Sequence, residues 1–181
     1  EFHGSESAVA EQAELAQAIA AEHGGCGFEW AKAPEDRSRL WHARDNTLYA
    51  GLGLRPGARA VITDVCVPIS CLAECVAQAQ IKLAELGIMA PIIGHVGDGN
   101  FHTMPLIDMD SADEIAKAGE FVGWLNDLAI SMGGTCTGEH GIGQGKKPYL
   151  RKELGGAVDM MAAIKRALNP DDIMNPGKVL T

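Results

Sequence analysis

The run Gly94-His95-Val96-Gly97-Asp98-Gly99-Asn100-Phe101-His102 limits the fold more than any other stretch of the chain. It lies inside a β-rich segment from Met89 to Ile107, and Asp98-Gly99 is a hairpin signal, so the chain must double back there as strand–turn–strand. An amphipathic helix is expected on each side. Ile69, Leu72, Val76, Leu83 and Leu86 repeat at helical spacing up to Gly87. Ile115, Ala118, Val122, Leu125 and Met132 do the same after a capping-box start at Ser111-Ala112-Asp113-Glu114. Upstream, residues 58–67 are β-branched and read as a strand closed by Pro68. Strand–helix–strand units around one sheet make the chain α+β or α/β.

The flanks carry simpler signals. Ser5 to His23 is an Ala- and Glu-rich helix ended by Gly24-Gly25, and Cys26 to Trp30 reads as a short strand. Pro34 opens a helix that runs through Leu40, Trp41, Arg44 and Leu48 to a break near Arg55-Pro56-Gly57. A last helix covers Val158 to Leu168, Asn169-Pro170 stops it, and an extended tail continues from Asp171 to Leu180. Glu1-Phe2-His3 reads as the end of a strand already under way, as in a piece of a longer protein.

Composition excludes several functions. A net charge of −9 leaves no basic stripe for nucleic acid, and an anionic substrate must be held locally, by an Arg or a metal, against the overall field. No apolar run reaches the length of a membrane span and no signal peptide is visible, so the expected location is cytoplasmic, with a peripheral membrane association left open. Five cysteines without a disulfide-framework spacing fit a reducing compartment.

Chemistry concentrates in two glycine-rich runs. His95 and His102 stand in the first, and Glu139-His140 in Gly133-Gly134-Thr135-Cys136-Thr137-Gly138-Glu139-His140-Gly141-Ile142-Gly143. Two imidazoles and a carboxylate form a ligand set for a divalent ion with positions left open. On an unbroken strand, residues seven apart face opposite sides, so His95 and His102 need the glycines to bring both rings round. The competing reading is two core or turn histidines and a solvated Glu. His140, unable to share its neighbour's direction easily, is the candidate general base, or else a partner for a backbone carbonyl. Asp98 is either a further ligand or bonded to its own turn.

Arg44 falls on the apolar stripe of Leu40, Trp41 and Leu48. It either holds a substrate carboxylate bidentately, or pairs with a local acid, or snorkels to solvent. Gly141, Gly143 and Gly145 before Lys146-Lys147 fail both the phosphate-loop and the dinucleotide spacing. Cys66, Cys71 and Cys75 read as small buried hydrophobes rather than a cluster site.

The same stretches resemble a known family. Residues 94–102, 134–143 (Gly-Thr-Cys-Thr-Gly-Glu-His-Gly-Ile-Gly) and 169–180 (Asn-Pro-Asp-Asp-Ile-Met-Asn-Pro-Gly-Lys-Val-Leu) look like the C-terminal domain of FAD-linked D-2-hydroxyacid dehydrogenases. Leu-Trp-x-Ala-Arg (40–44), Leu-Arg-Pro-Gly (54–57) and Thr-Asp-Val-Cys-Val-Pro-Ile-Ser (63–70) narrow the likeness to the cytochrome-dependent D-lactate dehydrogenase type, near the glycolate oxidase flavin subunit. The resemblance implies an α+β, ferredoxin-like antiparallel sheet with helices on one face and a C-terminal arm. It implies a cap and substrate domain over 1–150, with 151–181 packing on an N-terminal FAD domain not contained in this chain.

On the same ground His95, His102 and Glu139 would hold zinc or manganese, and His140 would be the base. Arg44 would bind the carboxylate of a small 2-hydroxy acid, and Asn175 would approach the flavin. Electrons would pass to cytochrome c, a quinone or an electron-transfer flavoprotein, and the fragment alone would be inactive. Relatives that oxidise 2-hydroxyglutarate place a Lys where Ile62 stands, so Ile62 points to a short or apolar substrate such as D-lactate. A metal-dependent hydrolase and a non-catalytic, metal-stabilised interaction module are the rival readings.

Overall fold

A computed structural model describes residues 2–31 and 33–180. The chain divides into two compact units, Glu1–Leu48 and Tyr49–Thr181. The first contains α1 (Glu6–Glu22) and α2 (Pro34–Asp45), and the boundary falls inside α3 (Thr47–Gly53). Ser5 caps α1 by accepting the Ala8 N–H at 3.3 Å, and Pro34 starts α2 where its missing N–H costs nothing. Two expectations fail here. Cys26 to Trp30 forms no strand, since the regular elements described in this unit are helices and offer no edge to pair with. The helix from Pro34 also breaks earlier than expected, at Asn46, because Asn46 Nδ2 takes the His42 carbonyl (2.8 Å) and Thr47 Oγ1 takes that of Arg44 (2.6 Å). Glu1 lies outside the described residues, and Phe2 and His3 form no strand.

The second unit is the expected α+β body. Its strands are β1 (Arg59–Ala60), β2 (Val65–Cys66), β3 (Ile92–His95), β4 (Asn100–Thr103) and β5 (Leu106–Ile107), all antiparallel. β1 pairs with β5, and β2 and β3 flank β4. The two ladders belong to one extended path. Pro105 has no N–H to give, yet its carbonyl accepts from Val61 (2.9 Å), and Thr63 N–H reaches Thr103 O (3.0 Å). Thr135 forms an isolated bridge with Cys66 on the outer edge. With α4 (Ile69–Leu86) and α5 (Ala112–Ser131), the sequence runs strand–helix–strand–strand–helix–edge, the ferredoxin-like order.

Alternation along the strands decides which side is core. Val65, Val67 and Phe101 face the helices, where Leu72, Cys75, Ala79 and Leu83 of α4 and Phe121, Leu125 and Ala129 of α5 close the apolar cluster. Burial, with Cys71 and Glu74 nearby, pushes the Cys75 thiol up to about 11, in keeping with an inert core residue. The turn between β3 and β4 requires Gly99, whose φ is +75° and whose missing Cβ would collide with the Val67 carbonyl. α6 (Lys147–Leu154) and α7 (Ala157–Leu168) complete the chain, and no sequence pattern announces α6. The tail after α7 turns rather than running extended.

Glu114 is part of what fastens α5 to the sheet. Its carboxylate takes two hydrogen bonds from Arg55 (2.7 and 2.9 Å) and one from the Asp108 N–H (2.8 Å). It therefore does not reach back to Ser111 as a full capping box would, although Ser111 Oγ does accept the Glu114 N–H. The Arg55 guanidinium, and then the Asp108 amide, hold Glu114 at about 2 against an ordinary 4.5. A depressed carboxylate contributes stability that is full above 4.5 and fades as pH falls toward 2. Urea unfolding of Glu114→Gln should show lower stability than wild type at pH 7 and a shallower loss through that acid window. Parallel pH profiles for the two proteins would contradict this role.

Candidate functional site

The hairpin register explains how residues seven apart share a face. His95 pairs with Asn100 and Ile93 with His102, so His95 and His102 are diagonal neighbours on one side of the β3–β4 ladder. Their ring centroids lie 6.0 Å apart, nearly perpendicular. Phe101, between Asn100 and His102, points the other way into the core. Asp64 and Ile62 fall on the site side by the same alternation, Asp64 1% and Ile62 43% exposed.

The second glycine-rich run brings Glu139 and His140 to that face. Glu139 Oε1 stands 3.0 Å from His102 Nε2 and 3.7 Å from His95 Nε2. Contrary to expectation, His140 does turn the same way as its neighbour. Its Nε2 is 3.7 Å from the same Glu139 oxygen, and its ring stacks on His102 at 4.9 Å and 7°. Gly138 makes the turn possible, because a Cβ there would collide with Asn100 Nδ2 and come within 2.9 Å of Asp64 Oδ1.

The donor set fits a cation. His102 Nδ1 lies 3.0 Å from the Thr63 carbonyl, which can only accept, so that nitrogen carries the proton. His102 Nε2 then stands 3.0 Å from Glu139 Oε1 without the alignment of a hydrogen bond, side by side as two ligands of one cation would be. Tetrahedral ligands each ~2.0–2.2 Å from a shared ion stand about 3.3–3.6 Å apart, between the 3.0 and 3.7 Å that separate Glu139 Oε1 from the two rings. The carbonyl behind His102 is the outer partner that fixes tautomer and ring direction at such sites. Two groups bring three ligand atoms within 4.8 Å of one another, one of His95, His102 and Glu139 and one of Asp64, His102 and His140. The second is already spent. Asp64 accepts from Asn100 Nδ2 (2.9 Å), Thr137 Oγ1 (2.9 Å), the Glu139 N–H (3.1 and 3.2 Å), the His140 N–H (2.9 Å) and Lys146 Nζ (3.4 Å). Burial alone would raise the Asp64 carboxyl, but the His140 amide, Asn100, Thr137 and the Lys146 charge together hold it well below the usual carboxylate range. Asp98 is in neither group.

Sequence reasoning misses Asp64 and Lys146. A signal does exist, because an Asp between Thr63 and Val65 in a β-branched strand is a charge in a place that needs a partner. Lys146 stands in the run that fails the phosphate-loop spacing, which hides it. Arg44 lies in the N-terminal unit, its side chain 58% exposed, 3.5 Å from Asp45 and 5.7 Å over the Trp41 ring. Asn175 lies on the C-terminal arm with φ +48°, its carbonyl accepting from Lys165 Nζ (3.3 Å). That arm returns to the loop of Glu139 and His140, where Val179 N–H meets Gly143 O (2.6 Å) and Lys147 Nζ meets Gly177 O (3.1 Å).

With this geometry in place, comparison with known proteins gives the chain its relatives. Residues 1–179 match the family model "FAD linked oxidases, C-terminal domain". The chain belongs to this family. It is 47% identical over 181 residues to "Probable D-lactate dehydrogenase, mitochondrial" of Danio rerio, which covers 99% of the chain and 36% of that relative. To "D-lactate dehydrogenase [cytochrome], mitochondrial" of Arabidopsis thaliana it is 44% identical, covering 99% and 32%. To "Glycolate oxidase subunit GlcD" of Bacillus subtilis it is 33% identical, covering 99% and 38%. The chain thus spans about a third of the length of these curated relatives. The fold is shared with 4-ethylphenol oxidase from Gulosibacter chungangensis, at a TM-score of 0.67 and 18% identity over 98% of this chain and 38% of that one.

The crowding at Gly138 has a direct consequence. Gly138→Ala should destabilise the protein by about 1–3 kcal/mol, the usual cost of forcing a methyl into a filled site. A urea midpoint equal to that of wild type would show that the loop is looser than described.

Proposed function

We propose that the chain is the cap and substrate domain of a flavin-dependent dehydrogenase that oxidises a D-2-hydroxy acid, with D-lactate favoured, to the 2-oxo acid. The observation that carries this reading is the meeting of His95, His102, Glu139 and His140 around one carboxylate oxygen, in a member of the FAD-linked oxidase family. Its relatives' names speak of D-lactate and glycolate, both small 2-hydroxy acids.

His95, His102 and Glu139 would hold a divalent ion, zinc or manganese, whose contribution would be to polarise the substrate hydroxyl. The hydride acceptor would be FAD held mainly by an N-terminal domain, with cytochrome c, a quinone or an electron-transfer flavoprotein taking the electrons onward. The residues of this chain then bind, orient and move the proton. His140 Nε2, turned toward the same carboxylate oxygen as the candidate ligands, takes the hydroxyl proton. Arg44 binds the substrate carboxylate, an assignment supported by the family resemblance and by its exposed guanidinium. Ile62 supplies an apolar wall on the site face, which fits a short side chain better than a second carboxylate.

The arm and α7 fit a domain that docks. Met160, Ile164 and Leu168 form an exposed stripe at helical spacing, 67%, 59% and 73% exposed, and Asn175 comes next on the arm. Packing on the FAD domain would cover that stripe and bring Asn175 toward the flavin. Five free cysteines fit a reducing, cytoplasmic setting, and no described helix is long and apolar enough to cross a membrane.

The test uses the full-length enzyme. His140→Gln should lower kcat by about 10²–10⁴-fold, the range for loss of a general base. Arg44→Lys should act mainly through KM, by loss of a bidentate contact. Full turnover through both changes would favour a structural module, and ester or amide hydrolysis by the isolated chain would favour a hydrolase. Flavin reduction should be faster with D-lactate than with D-2-hydroxyglutarate, and the reverse preference would overturn the role given to Ile62.

A further inference from the structure

Asp64 sits where the two halves of the site are joined. It stands in the extended path between β1 and β2, 1% exposed, and all its partners but Lys146 belong to the strand of His102 or the loop of Glu139 and His140. Asn100, opposite His95 and two residues before His102, gives its Nδ2 to Asp64 Oδ1 (2.9 Å) and to the Val65 carbonyl (2.9 Å). From the other loop come the Thr137 hydroxyl and the consecutive N–H groups of Glu139 and His140. Lys146 Nζ closes the shell, bonded to the Asp64 carbonyl at 2.8 Å and near its carboxylate at 3.4 Å.

Two successive amides can meet one carboxylate only if the chain between them is turned toward it, and that turn sets where the next atoms go. The side chain of Glu139 leaves the first of those residues and that of His140 leaves the second. A fixed negative charge at Asp64 thus dictates the direction of both. Five donors converge on the Asp64 carboxylate, which commits it to the loop and leaves His95, His102 and Glu139 as the freer ligand set. Partners of this kind behind metal ligands tune affinity without touching the ion.

We propose that Asp64 is a positioning residue for the Glu139–His140 pair, with Lys146 as its counter-charge, and that its buried carboxylate sets the geometry on which ion binding and proton removal both rely. The proposal rests on the metal and base roles proposed for His95, His102, Glu139 and His140. Asn at position 64 keeps the shape but offers an N–H to amides that need an acceptor.

The experiment compares Asp64→Asn with wild type in the full-length protein by zinc and manganese binding and by amide hydrogen exchange of residues 137–140. Leu83→Ala, a core change away from the loop, serves as the control for lost stability. We expect Asp64→Asn to weaken ion binding by about 10–100-fold, the range for outer partners of ligands, and to speed exchange in the loop by about 10-fold or more. Leu83→Ala should leave ion affinity unchanged. Wild-type ion affinity in a folded Asp64→Asn protein overturns the proposal, even with a looser loop. If Asp64→Asn does not fold, Thr137→Val removes one donor in its place, and it should weaken binding several-fold; unchanged affinity again overturns the idea. A wild-type protein that binds neither ion defeats the metal reading itself. Loop exchange then decides alone, and an Asp64→Asn rate equal to wild type overturns the positioning role.

Discussion

A carboxylate buried to 1% exposure must be answered by donors on every side, and the loops of this domain are wrapped to supply them around Asp64. One hydroxyl, one side-chain amide, two backbone amides and one ammonium meet it, and they come from three separate parts of the chain. Removing any one partner would take a hydrogen bond from a buried charge, and removing Lys146 would also take its counter-charge. That dependence makes the arrangement cooperative, because a loop that opens loses several bonds together. Flexible, glycine-rich segments are otherwise poor places to fix side chains, and the buried charge offsets what the glycines cost in order.

Strand alternation turns this local anchor into a two-sided domain. One face of the β2–β4 ladder gives Val65, Val67 and Phe101 to the helices, and the other gives Asp64, Asn100 and His102 to the site. A one-residue slip would put the charge into the core and Phe101 into the site, so packing and function select the same register. The interrupted pairing near Pro105 fits the same scheme. Thr63 Oγ1 accepts the Thr103 N–H there (2.9 Å), and the Thr63 carbonyl is left for His102.

Periodicity makes the long elements legible. α4 and α5 present one apolar seam each, capped by Gly87 and begun at Ser111, and their extents match the pattern closely. The ligand candidates are legible because imidazole and carboxylate among glycines are unusual in type as well as in spacing. The features that escape a sequence reading depend on partners distant in the chain. Cys26 to Trp30 has strand-like residues but no strand to pair with, and α6 has only Leu150 buried in two turns, too little for a repeat to show. The break at Asn46 comes from side chains competing for carbonyls, which hydrophobic spacing does not register. Asp64 is hard to see because its role is defined by residues 36 to 82 positions away. Lys146 looks, from its neighbours alone, like the end of a failed phosphate motif.

Charge at the site bears on how so acidic a chain could take an acid as substrate. Among the groups that converge, Asp64 and Glu139 carry two negative charges and Lys146 one positive, which leaves one negative charge before the imidazoles are counted. With a net −9 over the whole chain, this face would repel an anion approaching from solvent. A divalent ion on His95, His102 and Glu139 would reverse the local sign to one positive charge. Lys146 cannot take the ion's place in that role, because it is already committed to Asp64. On the function proposed above, the ion would then matter as much for admitting the anion as for polarising its hydroxyl, and substrate affinity should rise with ion occupancy even where the base is intact.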